Sequence, residues 1–379
     1  MRILFVSGFW PSFSGNSGVS LSAREHAQML IDVGCEVFIL GSESGILDEK
    51  LFASGKFHIS AKGSGALYSP AKVDKASLNS VILKVKPDLV IVEAFQTAIG
   101  DASILVAAQH GFPVLLISHG VSVHPFTKHP IDFLRSLAWL PYRWFKLPKL
   151  VSQLSGMACL SLKSYSKRFF DRDLAIKFGV PVYHLNNFPI NLAKTTDKVA
   201  VRVFDLLLVG YFSRVKNQLE AINILSKLPC SRSLVLIGEK SGVYYKKCVD
   251  LVRRRNLQDR VTFLSDSECS IASMIGLSKL LLLTSITEVQ PIVLLEAMAS
   301  GTPFVASNVG CVPDLRGGYC SNIPDALVEM IQEIDNKFEL WTQYSVEGID
   351  HYKKFHTREV AVRGLSLIIG DVLQIGSLR

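Results

Sequence analysis

Apolar residues in this chain gather in short, nearly unbroken runs, separated by stretches whose apolar positions follow helical spacing. Ile3 to Ser7, Glu36-Val-Phe-Ile-Leu40, Asp88-Leu-Val-Ile-Val92 and Pro113-Val-Leu-Leu-Ile-Ser118 read as buried strands. Helical patterns lie between them, from Val19 to about Val33 with Gly34 as stop, and from Asp101 to His110 with Gly111 as stop. A second series begins near residue 200, after the polar linker Leu192-Ala-Lys-Thr-Thr-Asp-Lys198. It comprises strands Phe204–Val209, Ser233–Ile237, Val261–Leu264 and Lys279–Leu283, with helices at Gln218–Leu228 and through the basic 245–255 segment. A last helical pattern runs from about Thr357 to Leu373. Apolar strands alternating with helices predict parallel sheets covered on both faces. The expected fold class is α/β, two Rossmann-like, doubly wound domains over 1–192 and 199–356. The helix within 357–379 is expected to pack back on the first domain. Such sheets bind ligands at the carboxyl ends of their strands, so an interdomain cleft is the expected site.

Composition narrows the class. The 379 residues suffice for two domains with real cores, and nearly half are hydrophobic while a fifth are charged. No run of eighteen uncharged apolar residues occurs, which argues against a transmembrane helix. The opening Met-Arg-Ile-Leu-Phe-Val-Ser lacks an extended apolar region with a cleavage site and reads as a first strand. Seven cysteines without CxxC spacing predict free buried thiols and a cytoplasmic location. The net charge of +8 fits a phosphorylated small molecule or anionic lipid. No zinc finger, basic zipper or RNP-like motif accompanies it, so nucleic acid is not an expected partner.

Residues 284–303, Thr-Ser-Ile-Thr-Glu-Val-Gln-Pro-Ile-Val-Leu-Leu-Glu-Ala-Met-Ala-Ser-Gly-Thr-Pro, combine acids with an apolar run. A strand ending at Thr284 and a helix from Pro291 to Ser300, stopped by Gly301, account for the pattern. Ile292, Leu295 and Met298 or Ala299 are then expected to face the core. Glu288 falls in the loop at the strand's carboxyl end, and Glu296 in the second turn of the helix. Eight residues of helix rise span roughly 12 Å, and a bent loop shortens that distance. The helix N-terminus between the acids suits a phosphate, and carboxylates accept hydrogen bonds from vicinal hydroxyls. Those groups match a nucleotide sugar. On spacing alone a buried helix carrying solvated glutamates is the favoured reading.

Glu288 and Glu296, followed by Ala-Met-Ala-Ser-Gly-Thr-Pro-Phe-Val-Ala-Ser, resemble the E-x7-E region of the retaining GT-B glycosyltransferases of family 4. The resemblance continues through Val309-Gly310-Cys-Val-Pro-Asp314, where the family often has a second glycine in place of Cys311. It implies that Glu288 contacts the donor sugar and Glu296 the nucleotide ribose. The family's common Phe-Gly pair is Gln290-Pro291 here, and Pro291 supplies no N–H. The diphosphate is left to neighbouring amides in the Val289-Gln290-Pro291-Ile292 stretch. Val209-Gly210-Tyr-Phe-Ser-Arg-Val-Lys-Asn217 is similar to the family's Gly-Arg-x4-Lys-Gly segment, whose cations neutralise the diphosphate. Lys216 matches the lysine, Tyr211 stands at the arginine position, and Arg214 is the nearest substitute. Without the resemblance Lys216 is a solvated cation that opposes a helix dipole, itself a pointer to an anionic partner.

Ile117-Ser-His-Gly120 places His119 at a strand end. A lone histidine is more often structural, but the family's histidine in such a context lies near donor sugar and acceptor; His124 reads as a bystander. The Gly15-Asn-Ser-Gly18 loop lacks the GxGxxG fingerprint and its acidic partner, which argues against NAD. In the family this loop, with Gly15 and Gly18, approaches the diphosphate from the first domain.

The resemblance thus implies an enzyme that moves a sugar, with retention, from a UDP- or GDP-type donor to a glycan or lipid-linked acceptor in bacterial surface polysaccharide or glycolipid synthesis. Lys216 and helix amides would stabilise the leaving diphosphate, whose phosphate takes the acceptor proton. No metal or other cofactor is expected, since no Asp-x-Asp-type cluster lies in a suitable loop. A hydrolase using Glu288 and Glu296 as a flanking pair fits less well. The Tyr211 and Pro291 departures keep a non-catalytic nucleotide- or glycan-binding protein as the alternative. Finally, 133–149 mixes Trp, Phe, Arg and Lys with no acid after Asp132, as a segment at an anionic membrane interface does. Peripheral placement on the inner membrane face is the corresponding expectation. Pro141 and Pro148 are expected to break any long helix there.

Overall fold

The computed structural model describes residues 1–10, 18–42, 51, 53–121, 130–162, 167–190, 192 and 202–375. Gly15 and His124 lie outside the described residues. The chain divides into two compact units, Met1–Asn186 with Ala361–Arg379, and Asn187–Val360.

The first unit begins with β1 (Arg2–Ser7), α1 (Gly18–Asp32), β2 (Glu36–Ser42) and β3 (Gly55–Ile59). A small antiparallel pair follows, β4 (Ala61–Lys62) and β5 (Lys72–Val73), then α2 (Lys75–Val85) and β6 (Leu89–Glu93). Next come α3 (Ala98–Gln109), β7 (Val114–Ser118), α4 (Pro130–Ala138), a π-helical turn at Tyr142–Lys146, and α5 (Leu147–Val151). β8 (Gly156–Cys159), α6 (Phe170–Lys177) and β9 (Val182–His184) complete the unit's own run. Its sheet has the order β3-β2-β1-β6-β7-β8-β9, with every pairing parallel. The strand order reverses between β1 and β6, the topological switch point.

The second unit runs β10 (Phe204–Val209), α7 (Gln218–Lys227), β11 (Leu234–Ile237), α8 (Gly242–Arg254) and β12 (Val261–Leu264). It continues with α9 (Ile271–Gly276), β13 (Ser278–Leu283), α10 (Ile292–Ala299), β14 (Phe304–Ala306) and β15 (Gly318–Cys320). Helices α11 (Pro324–Asn336) and α12 (Phe338–Phe355) precede α13 (Arg358–Val372). The sheet order is β12-β11-β10-β13-β14-β15, again all parallel, with its switch point between β10 and β13. Successive strand residues serve opposite faces. Leu206, Leu208, Leu280 and Leu282 enter one core layer, while Leu207, Leu281 and Leu283 enter the other. That is why the runs are unbroken rather than alternating.

The far end of α13 belongs to the first unit. Leu365, Ile368 and Ile369 are buried, and Asp371 accepts a hydrogen bond from Tyr183 at the end of β9. A Cβ on Gly156 would stand 2.7 Å from the Val372 side chain, so this helix needs glycine in β8 to approach.

Three local expectations are corrected. α10 starts at Ile292, and Pro291 is its N-cap, with φ −72° and ψ 114°, rather than its first helical residue. Its buried residues are Leu294 through Met298 without interruption, and Ile292 and Ala299 are only half-buried. An α10 packed against α12 as well as the sheet has no exposed stripe; a Cβ built on Gly348 of α12 would already stand 3.6 Å from Met298. The prolines of 133–149 do not break the helical path. Pro141 immediately precedes the π-helical turn, and Pro148 sits in the first turn of α5, where its missing N–H costs nothing. All seven cysteines are free, but Cys230 is exposed and Cys269 and Cys320 are half-buried.

Candidate active site

In the second unit the switch point places two loops side by side. β10 ends at Val209 and β13 at Leu283, and the loops leaving them carry Lys216 and Glu288. The two side chains meet directly, with Lys216 Nζ 2.7 Å from Glu288 Oε1, and both are largely buried. A cation at a helix start calls for an anionic partner. Within the chain that anion is Glu288, which offsets the penalty of a cation just before α7.

The loop backbone is fixed from below. Gln218, fully buried, donates through Nε2 to the carbonyls of Gly210 (3.0 Å) and Tyr211 (3.1 Å). Thr284 Oγ1 donates to the Asn217 carbonyl at 2.9 Å, and the Ile286 amide donates to Val215 at 2.8 Å. Asn217 itself adopts φ 53°, a turn that brings Lys216 over Gly210. A Cβ on Gly210 would lie 3.3 Å from the lysine stem. On the far side Gly310 stacks on the loop of Glu288. A Cβ there would fall 2.4 Å from the Glu288 carbonyl oxygen and 2.6 Å from that of Val289. The Cys311 amide donates to the Val289 carbonyl at 2.9 Å, and burial pushes the Cys311 thiol up to about 12.

Gln290 is buried and engaged structurally. Its Oε1 accepts from the Asn187 amide at 2.6 Å, and the Asn187 carbonyl lies 2.9 Å from His356 Nδ1. Gln290 therefore fastens the loop to the two ends of its own unit. Glu296 is buried on α10. Tyr211 is exposed, and Arg214 lies within electrostatic reach of Tyr244. Lys216, Glu288, Gly210, Val289 and Gly310 thus form one constellation ahead of the opening turn of α10. An ammonium and a carboxylate 2.7 Å apart can serve a ligand that carries an anionic group beside a hydroxyl.

The first unit holds a second cluster, also at a switch point. β6 pairs with β1 in the register Glu93 to Ser7 and with β7 in the register Glu93 to Ile117. That register brings His119, two residues past Ile117, against Glu93, with His119 Nε2 2.6 Å from Glu93 Oε1. His26 of α1 approaches the same carboxylate, its Nδ1 3.2 Å from both oxygens. Burial works to raise the Glu93 pKa, but the His26 charge and the hydrogen bonds from both imidazoles outweigh it and bring it to about 2. His26 Nε2 is buried without a hydrogen-bond partner. Glu93 thus engages Nε2 of His119, and Nδ1 is the ring nitrogen that this carboxylate does not hold. Immediately after Glu93 the chain bends through Ala94 (φ 67°) and Gln96 (φ 66°), backbone values that cluster at working sites. Gly18 opens α1 and is exposed.

Glu93 and His26 escaped the sequence reading. Glu93 had a usable signal, an acid directly after an apolar strand at its ligand-facing end. His26 had none, being one polar residue in a helical pattern.

Among the described residues no group of three or more His, Cys, Asp or Glu is disposed to hold a metal ion.

Residues 198–319 match the family model described as "Glycosyl transferases group 1". Over 126 residues the chain is 31% identical to N-acetyl-alpha-D-glucosaminyl L-malate synthase of Bacillus anthracis; that stretch is 32% of each chain. The match therefore spans about a third of the length of that curated relative. Solved structures are similar over nearly the whole chain. Sucrose-phosphate synthase from Thermosynechococcus elongatus gives a TM-score of 0.75 at 16% identity, covering 99% of this chain and 100% of that one. HepE of Anabaena, solved with UDP, gives 0.69 at 17% identity, covering 98% and 100%. A glycosyltransferase from Rickettsia africae gives 0.71 at 17% identity, covering 99% of both. The chain accordingly has the α/β fold of the GT-B glycosyltransferases, two Rossmann-like parallel-sheet units, and its Lys216–Glu288 site lies inside the segment that matches glycosyl transferases group 1.

Proposed function

We propose that this protein is a retaining glycosyltransferase of the group 1 type that takes a nucleotide-sugar donor. The observation that carries the reading is the Lys216–Glu288 pair at the switch point, within the segment matching that family. A nucleoside diphosphate sugar presents an anion next to sugar hydroxyls, the combination the pair serves. Lys216 addresses the diphosphate, Glu288 the sugar hydroxyls, and Glu296 the ribose. The first amides of α10 add partial positive charge where negative charge develops on leaving. UDP is the favoured nucleotide, because HepE was solved with UDP and with UDP-glucose.

The bond from the anomeric carbon to the phosphate oxygen breaks as the acceptor oxygen forms its bond on the same face. The acceptor proton passes to the departing phosphate, so no metal and no carboxylate nucleophile is required. The family resemblance assigns His119, which Glu93 holds through Nε2, to the sugar and acceptor. The acceptor is a glycan or a lipid-linked hydroxyl compound, in bacterial surface polysaccharide or glycolipid synthesis. The Bacillus relative is named for a glucosaminyl malate, so a small hydroxy acid belongs in the acceptor panel.

The test is release of free nucleotide from UDP-, GDP- and ADP-sugars in the presence of such acceptors. Lys216→Ala and Glu288→Gln are each expected to lower kcat/KM by roughly 10²–10³-fold. Turnover unaffected by either change overturns the site assignment. Binding of a nucleotide without turnover for any donor and acceptor would favour a non-catalytic binding protein.

A further inference from the structure

Helix α4 is built inside out. In a surface helix the apolar stripe faces the core and the acids face water. Here Asp132 is 3% exposed, while Phe133 and Leu134, the next two residues, are 56% and 63% exposed. Ile131 and Leu137 are exposed as well. The following π-helical turn repeats the inversion. Tyr142 is buried, whereas Trp144 and Phe145 stand out at 62% and 78%.

The exposure is held in place. Lys146 pairs with buried Asp101 at 2.7 Å, Tyr142 donates to the same carboxylate at 3.1 Å, and Trp139 packs edge-on against Tyr142 at 5.2 Å. Holding Trp139, Tyr142 and Lys146, spaced three and four residues apart on one helical face, inward fixes Trp144 and Phe145 outward. A separate piece of chain joins the surface. The turn between β4 and β5 donates from the Leu67 amide to the Ala138 carbonyl at 3.0 Å and sets Tyr68 against Trp139 at 6.3 Å. Leu67 and Tyr68 are themselves exposed. Two stretches far apart in sequence therefore present one apolar, aromatic face.

Charge on the face has one sign. Across 62–73 and 130–149 the cations not already paired inward are Lys62, Lys72, Arg135, Arg143 and Lys149, Lys146 being held by Asp101, and the only acid is the inward Asp132. A second protein copy would bring the same cations against themselves, whereas an anionic bilayer supplies the opposite charge and an apolar layer together. The aromatics have the amphipathic bodies that settle at headgroup depth.

We propose that α4, the Tyr142–Lys146 turn and the β4–β5 turn form a preorganised docking face for an anionic lipid bilayer, entered by Phe133, Leu134, Trp144 and Phe145 with Leu67 and Tyr68 beside them. The inference does not depend on the sugar donor, and nucleotide binding to the second unit reports on that separately.

The test is flotation of the full chain with vesicles of phosphatidylcholine alone and of phosphatidylcholine with phosphatidylglycerol. Binding is expected to the anionic vesicles and to weaken with salt. The double change Arg135→Gln, Lys149→Gln lowers that partition roughly tenfold or more, since each surface cation contributes about 1 kcal/mol. Phe133→Ser with Trp144→Ser abolishes it while leaving the melting temperature and UDP binding unchanged. No binding to either vesicle overturns the proposal. So does a concentration-dependent dimer in lipid-free sedimentation that Phe133→Ser with Trp144→Ser dissolves, because the face would then join two copies.

Discussion

At the scale of single residues, the candidate clusters of both units are built on carboxylates that are buried but not alone. Glu93 illustrates the energetics. Its folded pKa is held at about 2 against an ordinary 4.5, so the ionised form is the stabilised one. The corresponding stability is fully present above the ordinary value and is lost as the pH falls from 4.5 toward 2. Glu93→Gln is expected to cost on the order of 3 kcal/mol at neutral pH, because it breaks a buried pair and leaves two imidazoles without their anion. The difference between wild type and variant should shrink through that acid window in urea titrations run at several pH values. A pH-independent difference would show that Glu93 acts by packing alone. His119 was legible as a strand-end histidine. Its bond to Glu93 was not, because residues 93 and 119 meet only through the β6–β7 register.

At the scale of elements, loops and helix ends do the positioning. The E-x7-E stretch showed its strand, loop and helix in sequence, and α10 lies within one residue of the expected span at each end. What the pattern missed was the face. Leu294 through Met298 are all buried because α12 covers the side that amphipathic spacing left to solvent. Gly310 is the element-scale counterpart. Its φ of 57° and the 2.4 Å gap to the Glu288 carbonyl leave no room for a methyl group. Gly310→Ala is expected to lose about 2–4 kcal/mol from strain and backbone displacement. Because the displaced backbone carries Glu288, nucleotide-sugar affinity should fall with stability; calorimetry and a binding titration read the two losses. Unchanged affinity in a folded variant would detach Gly310 from the site. The 133–149 stretch teaches the reverse lesson. Its composition was readable, but the inward Asp132 and the added Leu67–Tyr68 turn came only from packing.

At the scale of the whole molecule, two parallel sheets each place a candidate cluster at their own switch point. A nucleotide that binds the second unit stabilises it by mass action, by about 2.7 kcal/mol at a hundredfold excess over Kd. UDP is expected to raise the melting temperature. It should also slow amide exchange most strongly in 210–218, 284–297 and 309–311, where the loops of Lys216, Glu288 and Gly310 meet. Protection confined to the first unit would move the nucleotide site away from Lys216 and Glu288.

The sequence by itself determined the α/β class, the strands β1, β2, β6, β7 and β10 to β13, and the positions of Lys216, Glu288 and His119 after strand ends. It did not determine the strands β3 to β5, β8, β9, β14 and β15. Apolar runs and glycine stops are local, and burial on both faces of a parallel sheet imposes them directly on composition. Tertiary structure decided which of those residues touch. Lys216 and Glu288 are 72 positions apart, and His26 and Glu93 are 67 apart. Strand order and parallel register, set by long-range pairing between β10 and β13 or between β1 and β6, bring their side chains together. No spacing along the chain encodes that distance, because it depends on which strands become neighbours and not on how many residues lie between them.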